Sequence, residues 1–243
     1  MIRPYFLTPE EERKTPEPLE PFWDEVVSTA GAMRYDSKGQ DRLIQLMCNL
    51  SRLPPLKVAD YGAYLSYLWT SFPELGKVMY DDDRCPKELA SEPKDDQWIA
   101  YDLNFNSFMA RVLGNQLRPW KQFGIWQLRS ALEYPHVNPR LVDHHLAIVR
   151  EWIFHAGCEL YRQRCEGVLD PDEACRTQPG PLYRGRADIP RERWIFWKER
   201  IPELAKFASD DFQEIAAALV DRMNKIEEDL QNIPLSKKTN LCW

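Results

Sequence analysis

No CxxC pair occurs anywhere in this chain, although it carries six cysteines: Cys48, Cys85, Cys158, Cys165, Cys175 and Cys242. The common zinc and redox spacings are therefore absent, and no metal site is expected. A chain of 243 residues buries roughly 70% of its extended surface without disulfide staples. Free thiols in a reducing cytosol are the expectation. The opening MIRPYFLTPEEER turns acidic before any apolar run develops, so secretion is not expected. The longest apolar runs, such as Ile215 to Val220, are far too short to cross a membrane.

The chain also lacks a basic field. Its net charge is −6 and its pI about 5.4, which argues against a nucleic-acid partner. The local basic stretch Arg184, Arg186, Arg191 and Arg193 is interleaved with Asp188, Glu192 and Glu199, and reads as a solvated face. There is no GxSxG, no P-loop, no GxGxxG and no defensible cysteine–histidine pairing. The common cofactor enzymes are disfavoured, and no cofactor is expected. A cofactor-free acid/base catalyst stays open, since it needs only one carboxylate or histidine of shifted pKa.

What the chain has in excess is aromatic: nine Trp, ten Tyr and ten Phe. These carry the largest apolar payload per residue, so the core, or a pocket within it, should be aromatic-rich. Prolines and glutamates make residues 1–20 an extended arm. From 21 to 232 the periodicity is helical, and 233–243 reads as a tail. Phe22, Trp23, Val26, Val27 and Ala30 form one stripe. Leu43, Met47, Leu50 and Leu53 form another, stopped by Pro54-Pro55. Tyr64 to Trp69 opens a third helix that breaks near Pro73, and 81–97 is a polar loop. Trp98 to Leu113 and Trp120 to Glu133 follow as helices. Asn138-Pro139 caps a central helix running to about Cys165. Residues 166–190 read as a long loop, before helices Arg191 to Ala208 and Asp210 to Gln231.

Within Arg191 to Ala208, Trp194 and Trp197 continue into Ile201 and Leu204 as a core-facing stripe, leaving Arg193, Lys198, Glu199 and Arg200 wet. In the last helix Phe212, Ala216, Leu219, Met223, Ile226 and Leu230 make a short heptad seam. Packing against its own bundle is favoured over dimerisation, because coiled coils usually sustain more heptads. The chain is thus read as an all-α, single-domain bundle of about eight helices, a monomer or a homodimer through the 210–231 helix.

Five blocks resemble a known family. They are Asn104 to Arg111 (NFNSFMAR), Gly124 to Glu133 (GIWQLRSALE), Trp152 to Gly157 (WIFHAG), Gly180 to Gly185 (GPLYRG) and Arg193 to Arg200 (RWIFWKER). Their order and spacing are similar to those of the fungal domain-of-unknown-function family 3632. Tyr183 stands where a tryptophan is expected. The resemblance implies a fungal, intracellular, all-helical protein and carries over no activity, cofactor or catalytic residue.

Three constellations invite chemistry. Asp81-Asp82-Asp83 suggests the magnesium-binding aspartates of a terpene cyclase. The second metal motif of those enzymes is missing, so a solvated run is preferred. Glu151, His155 and Cys158 share a helical face, but no established zinc spacing is present and a buried, hydrogen-bonded His155 is preferred. Asn104, Ser107 and Arg111 form a polar ridge. Glu133 is the expected partner of Arg111, and also sits one turn from Arg129. A structural network joining helices competes here with a ligand site.

Any pocket is expected at that ridge. Asn104, Asn106, Arg111, Arg129, Glu133 and His155 would supply its polar groups, and Trp126, Trp152, Trp194 and Trp197 its apolar walls. The favoured function is enclosure of a small, largely apolar molecule, extended to cofactor-independent catalysis in specialised metabolism. The alternatives are an interaction module with a solid core and, third, the cyclase-like enzyme. An aromatic-lined cavity of several hundred cubic ångströms would mark the first, and a close-packed interior the second.

Overall fold

The computed structural model describes residues 19–54, 57–59, 65–82, 96–136, 138–164 and 168–231. The extended arm (but for Leu19 and Glu20), the C-terminal tail, Asp83 and most of the 81–97 loop lie outside them. So do Cys85, Cys165 and Cys242.

Helix α1 (Glu20–Ala32) opens with Pro21 in its first turn and buries Trp23, Val27 and Ala30 along one stripe. The Trp23 indole N–H donates to the Pro73 carbonyl at 2.8 Å, fixing α1 to the segment around Pro73. Helix α2 (Lys38–Leu50) buries Ile44 and Met47 and ends before the two prolines. The helix expected from Tyr64 is corrected by the fold. Leu65–Tyr67 is a strand (β2), antiparallel to Lys57–Ala59 (β1), with Lys57 opposite Tyr67. Only Leu68–Ser71 is helical (α3). The run before Pro73 is short and aromatic, and aromatic side chains lose rotamer freedom in a helix. Phe72 and Glu74, on either side of Pro73, take positive φ values of 47° and 68°. Helix α4 (Leu75–Asp82), which the sequence reading missed, buries Leu75, Val78 and Met79.

The centre of the helical arrangement is α5 (Asp96–Gly114), packed against α1, α2 and α7 (Pro139–Glu151). Asn138 caps α7 by accepting from the Arg140 N–H at 3.1 Å, with Pro139 as its first residue. Helix α7 runs through a π-helical turn (Trp152–Ala156) into α8 (Gly157–Arg162), making one long element. Helix α6 (Lys121–Leu132) lies against α7. The expected long loop contains a short helix α9 (Pro171–Arg176), capped by Asp170.

Helices α10 (Arg191–Ala205) and α11 (Asp210–Gln231) pack together and onto α7. The heptad seam of α11 is consumed inside the chain: Ala216, Leu219, Met223 and Ile226 are buried against α7, α8, α10 and the π-turn. Asp143 on α7 accepts from the Ser209 N–H at 2.9 Å, tying down the turn into α11.

Candidate functional site

The aromatic stripe of α10 leads to a buried ionic hub. Arg193, expected to be wet, has 0% of its surface exposed, as does Glu133. Arg193 lies on the same stripe as Trp197, Ile201 and Leu204, so its burial follows from the pattern that buries them. Its Nε donates to Glu133 Oε1 at 2.6 Å and its Nη2 to Oε2 at 3.1 Å. The remaining N–H groups reach the carbonyls of Thr177 (2.7 Å), Asp188 (2.7 Å) and Gln178 (3.3 Å). Every guanidinium donor thus has an acceptor.

Glu133 also accepts from Trp197 Nε1 at 2.7 Å and from the Gly180 N–H at 2.6 Å. Gly180 is required there, since a Cβ would stand 2.7 Å from Glu133 Cβ. Asp188 holds a positive φ of 64° where its carbonyl meets Arg193. The hub clamps the segment 177–190 between α6 and α10. Tyr183 in that segment packs at a tilt against Phe196, and its hydroxyl has no hydrogen-bond partner among the described residues. Burial, aided by Glu192, pushes the Tyr183 phenol up to about 12.

The expected site residues are not gathered around one cavity. Trp152, Trp194 and Trp197 each have 0% exposed surface. A ring untouched by a water-sized sphere borders no space that admits a ligand. Their indole N–H groups are spent internally, Trp152 on Asn106 Oδ1 (3.0 Å) and Trp194 on Glu227 (3.0 Å). Trp126 is partly exposed and donates to the Arg176 carbonyl at 2.8 Å. Asn104 staples α5 to the α1–α2 turn, accepting from the Tyr35 N–H and donating to the Gly31 carbonyl, both at 2.8 Å. Asn106 Nδ2 donates to Asp102. Arg129 donates to the Gln178 carbonyl rather than to Glu133. The Arg111–Glu133 pair is not formed either, because Arg193 fills the Glu133 carboxylate.

Arg111 and His155 do meet, at a notch between α2, α5 and the π-turn. This notch holds about 210 Å³ and is also lined by Asp41, Gln45, Cys48 and Asn115. Arg111 pairs with Asp41 at 2.5 Å. His155 is not fully buried; its side chain is 29% exposed, and its Nε2 lies 3.3 Å from Glu151 Oε2. The same carboxylate oxygen accepts from Ser107 Oγ at 2.7 Å, while Arg150 donates to Oε1. Burial pushes the Glu151 carboxyl up, but the bonds from His155, Ser107 and Arg150 outweigh this and hold it below its ordinary value. Serine and histidine both hang on the glutamate, which is not the serine-to-histidine link that activates a nucleophile. The π-turn brings the His155 carbonyl onto α5, where a Cβ on Gly114 would stand 1.9 Å from it.

Elsewhere, His144 Nε2 faces Asp102 at 2.8 Å, and the His136 and His145 rings lie 4.3 Å apart. Among the described residues, no group of three or more His, Cys, Asp or Glu is placed to hold a metal ion. Asp81 and Asp82 close α4. A wider, open groove of about 600 Å³ lies between α10 and α11, over Pro202, Ala205, Ala216, Ala217 and Val220. None of the expected site residues borders it. No described helix is long and apolar enough to cross a membrane.

The sequence reading missed Arg193 and Gly180 at the hub, and Asp41 and Cys48 at the notch. For Arg193 the stripe itself was a usable signal. Asp41 and Cys48 reach the notch only through the α2–α5 contact, which periodicity does not encode. A family model described as protein of unknown function (DUF3632) matches residues 23–201. No curated protein and no solved structure matches the chain.

Proposed function

The chain belongs to the family of proteins of unknown function DUF3632, and from that premise we propose that it works as a solid-core helical module that meets its partners at its surface. One observation carries this reading: three of the four tryptophans expected to wall a cavity have no accessible surface. Their polar edges are satisfied by protein acceptors. A container for a small apolar molecule, or a catalyst acting inside one, needs open indole surface around the ligand. A close-packed aromatic interior instead stiffens the helices that display the outer faces. The net charge of −6 favours protein partners over nucleic acid.

The test is native mass spectrometry of the gently purified protein, with a titration by an apolar fluorescent dye such as anilinonaphthalene sulfonate. The expected result is no apolar passenger and no saturable dye uptake by the folded protein. A stoichiometric apolar passenger, lost in Trp194→Ala, would overturn the proposal.

A further inference from the structure

The notch between α2, α5 and the π-turn combines a largely buried cation with an exposed counter-charge. Arg111 is held from behind: its Nη2 donates to the Tyr35 carbonyl at 3.0 Å, and its Nε approaches Ser107 Oγ at 3.4 Å. Its Nη1 faces the solvent side, where it meets Asp41. The two partners differ sharply in exposure, 13% for the Arg111 side chain against 66% for Asp41. The guanidinium is therefore set in the wall, while its carboxylate stands at the mouth and leaves by a rotamer change. Asp41 thus occupies the place an incoming carboxylate would take.

The rest of the notch suits a small organic acid. A volume of about 210 Å³ corresponds to roughly seven waters at ~30 Å³ each. Gln45 and Asn115 offer amides, His155 a partly exposed ring, and Ile44 and Cys48 the less polar wall. No described residue bonds the second ring nitrogen of His155. A planar guanidinium edge matches a carboxylate in two-point contact. Asp41 at the mouth repels a dianion such as phosphate more strongly than a monoanion.

From this geometry we infer that the notch binds a small monocarboxylate, whose carboxylate displaces Asp41 from Arg111. The inference goes beyond the surface-module reading and stands separately from it, since a solid core is compatible with a filled or an empty notch.

The experiment is a nuclear magnetic resonance titration of the full chain with butyrate at constant ionic strength, with inorganic phosphate as the comparison. The Arg111 Nε–H and His155 ring signals should shift saturably with butyrate and not with phosphate. Asp41→Asn removes the internal competitor. If Asp41 occupies Arg111 in about nine molecules of ten, that change tightens butyrate binding about tenfold. Arg111→Gln should abolish the response while circular dichroism stays unchanged. Should that variant fail to fold, the gain in Asp41→Asn decides the matter alone. An absent response in Asp41→Asn, an equal response to phosphate, or no tightening would each overturn the inference.

Discussion

Arg193 and Glu133, sixty positions apart, form an ion pair at 2.6 Å with both side chains wholly buried. Such a pair costs much desolvation to make and much more to break, because the survivor stays buried and unpaired. Arg193→Met should therefore destabilise the fold by about 3–5 kcal/mol. The double variant Arg193→Met with Glu133→Gln should recover part of that loss. Denaturant melts of the set decide it, and a single-variant loss under about 1 kcal/mol would mean the hub is not where the fold is held.

Trp197→Phe keeps most of the ring and deletes the N–H that Glu133 Oε1 accepts at 2.7 Å. A loss of about 1–3 kcal/mol is expected, the cost of an unmade buried hydrogen bond to a charged group. Equal stability of the two proteins in urea would show that this bond adds nothing.

Gly114→Ala places a methyl 1.9 Å from the His155 carbonyl oxygen, a backbone atom that moves only if the π-turn moves. The expected cost is about 1–3 kcal/mol, with His155 ring resonances displaced. A variant as stable as the parent, with unshifted resonances, would mean the π-turn relaxes freely.

Stability should fall on mild acidification. Burial, with the nearby His136 and His144, holds the His145 imidazole well below its ordinary value of 6.5, and burial lowers His136 as well. The unfolded chain then binds more protons than the folded one below about pH 6.5, so stability is complete above that pH and declines beneath it. Glu151 behaves differently: its lowered carboxyl contributes stability above 4.5 that is lost only as pH falls further. Melting temperatures between pH 7 and 5 should drop in the parent and drop less in His145→Phe. Parallel curves would exclude the histidine pair as the cause.

The aromatic stripes were legible in the sequence because burial there is set by helical period alone. Trp23, Trp194, Trp197 and the α11 seam all sit where periodicity puts them. The partners of polar residues were not legible. The sequence offers Glu133 to Arg111 or Arg129, but its carboxylate is filled by Arg193, whose approach depends on the α6–α10 contact. The ribbon at 57–59 and 65–67 escaped because three-residue strands leave too little alternation to detect. The bulk of the wall tryptophans is legible in the sequence, and the structure buries Trp152, Trp194 and Trp197 completely. Sequence gives the apolar payload but not whether neighbours close over it.

The central claim is that the tryptophan interior is packed solid, and the equilibrium unfolding of Trp194→Ala tests it most directly. Trp194 has no exposed surface and packs edge-on against Tyr161 at 5.1 Å. Its loss should leave a cavity costing about 3–5 kcal/mol. A cost below about 1 kcal/mol would contradict the claim, since only a ring already bordering empty space or solvent is removed so cheaply.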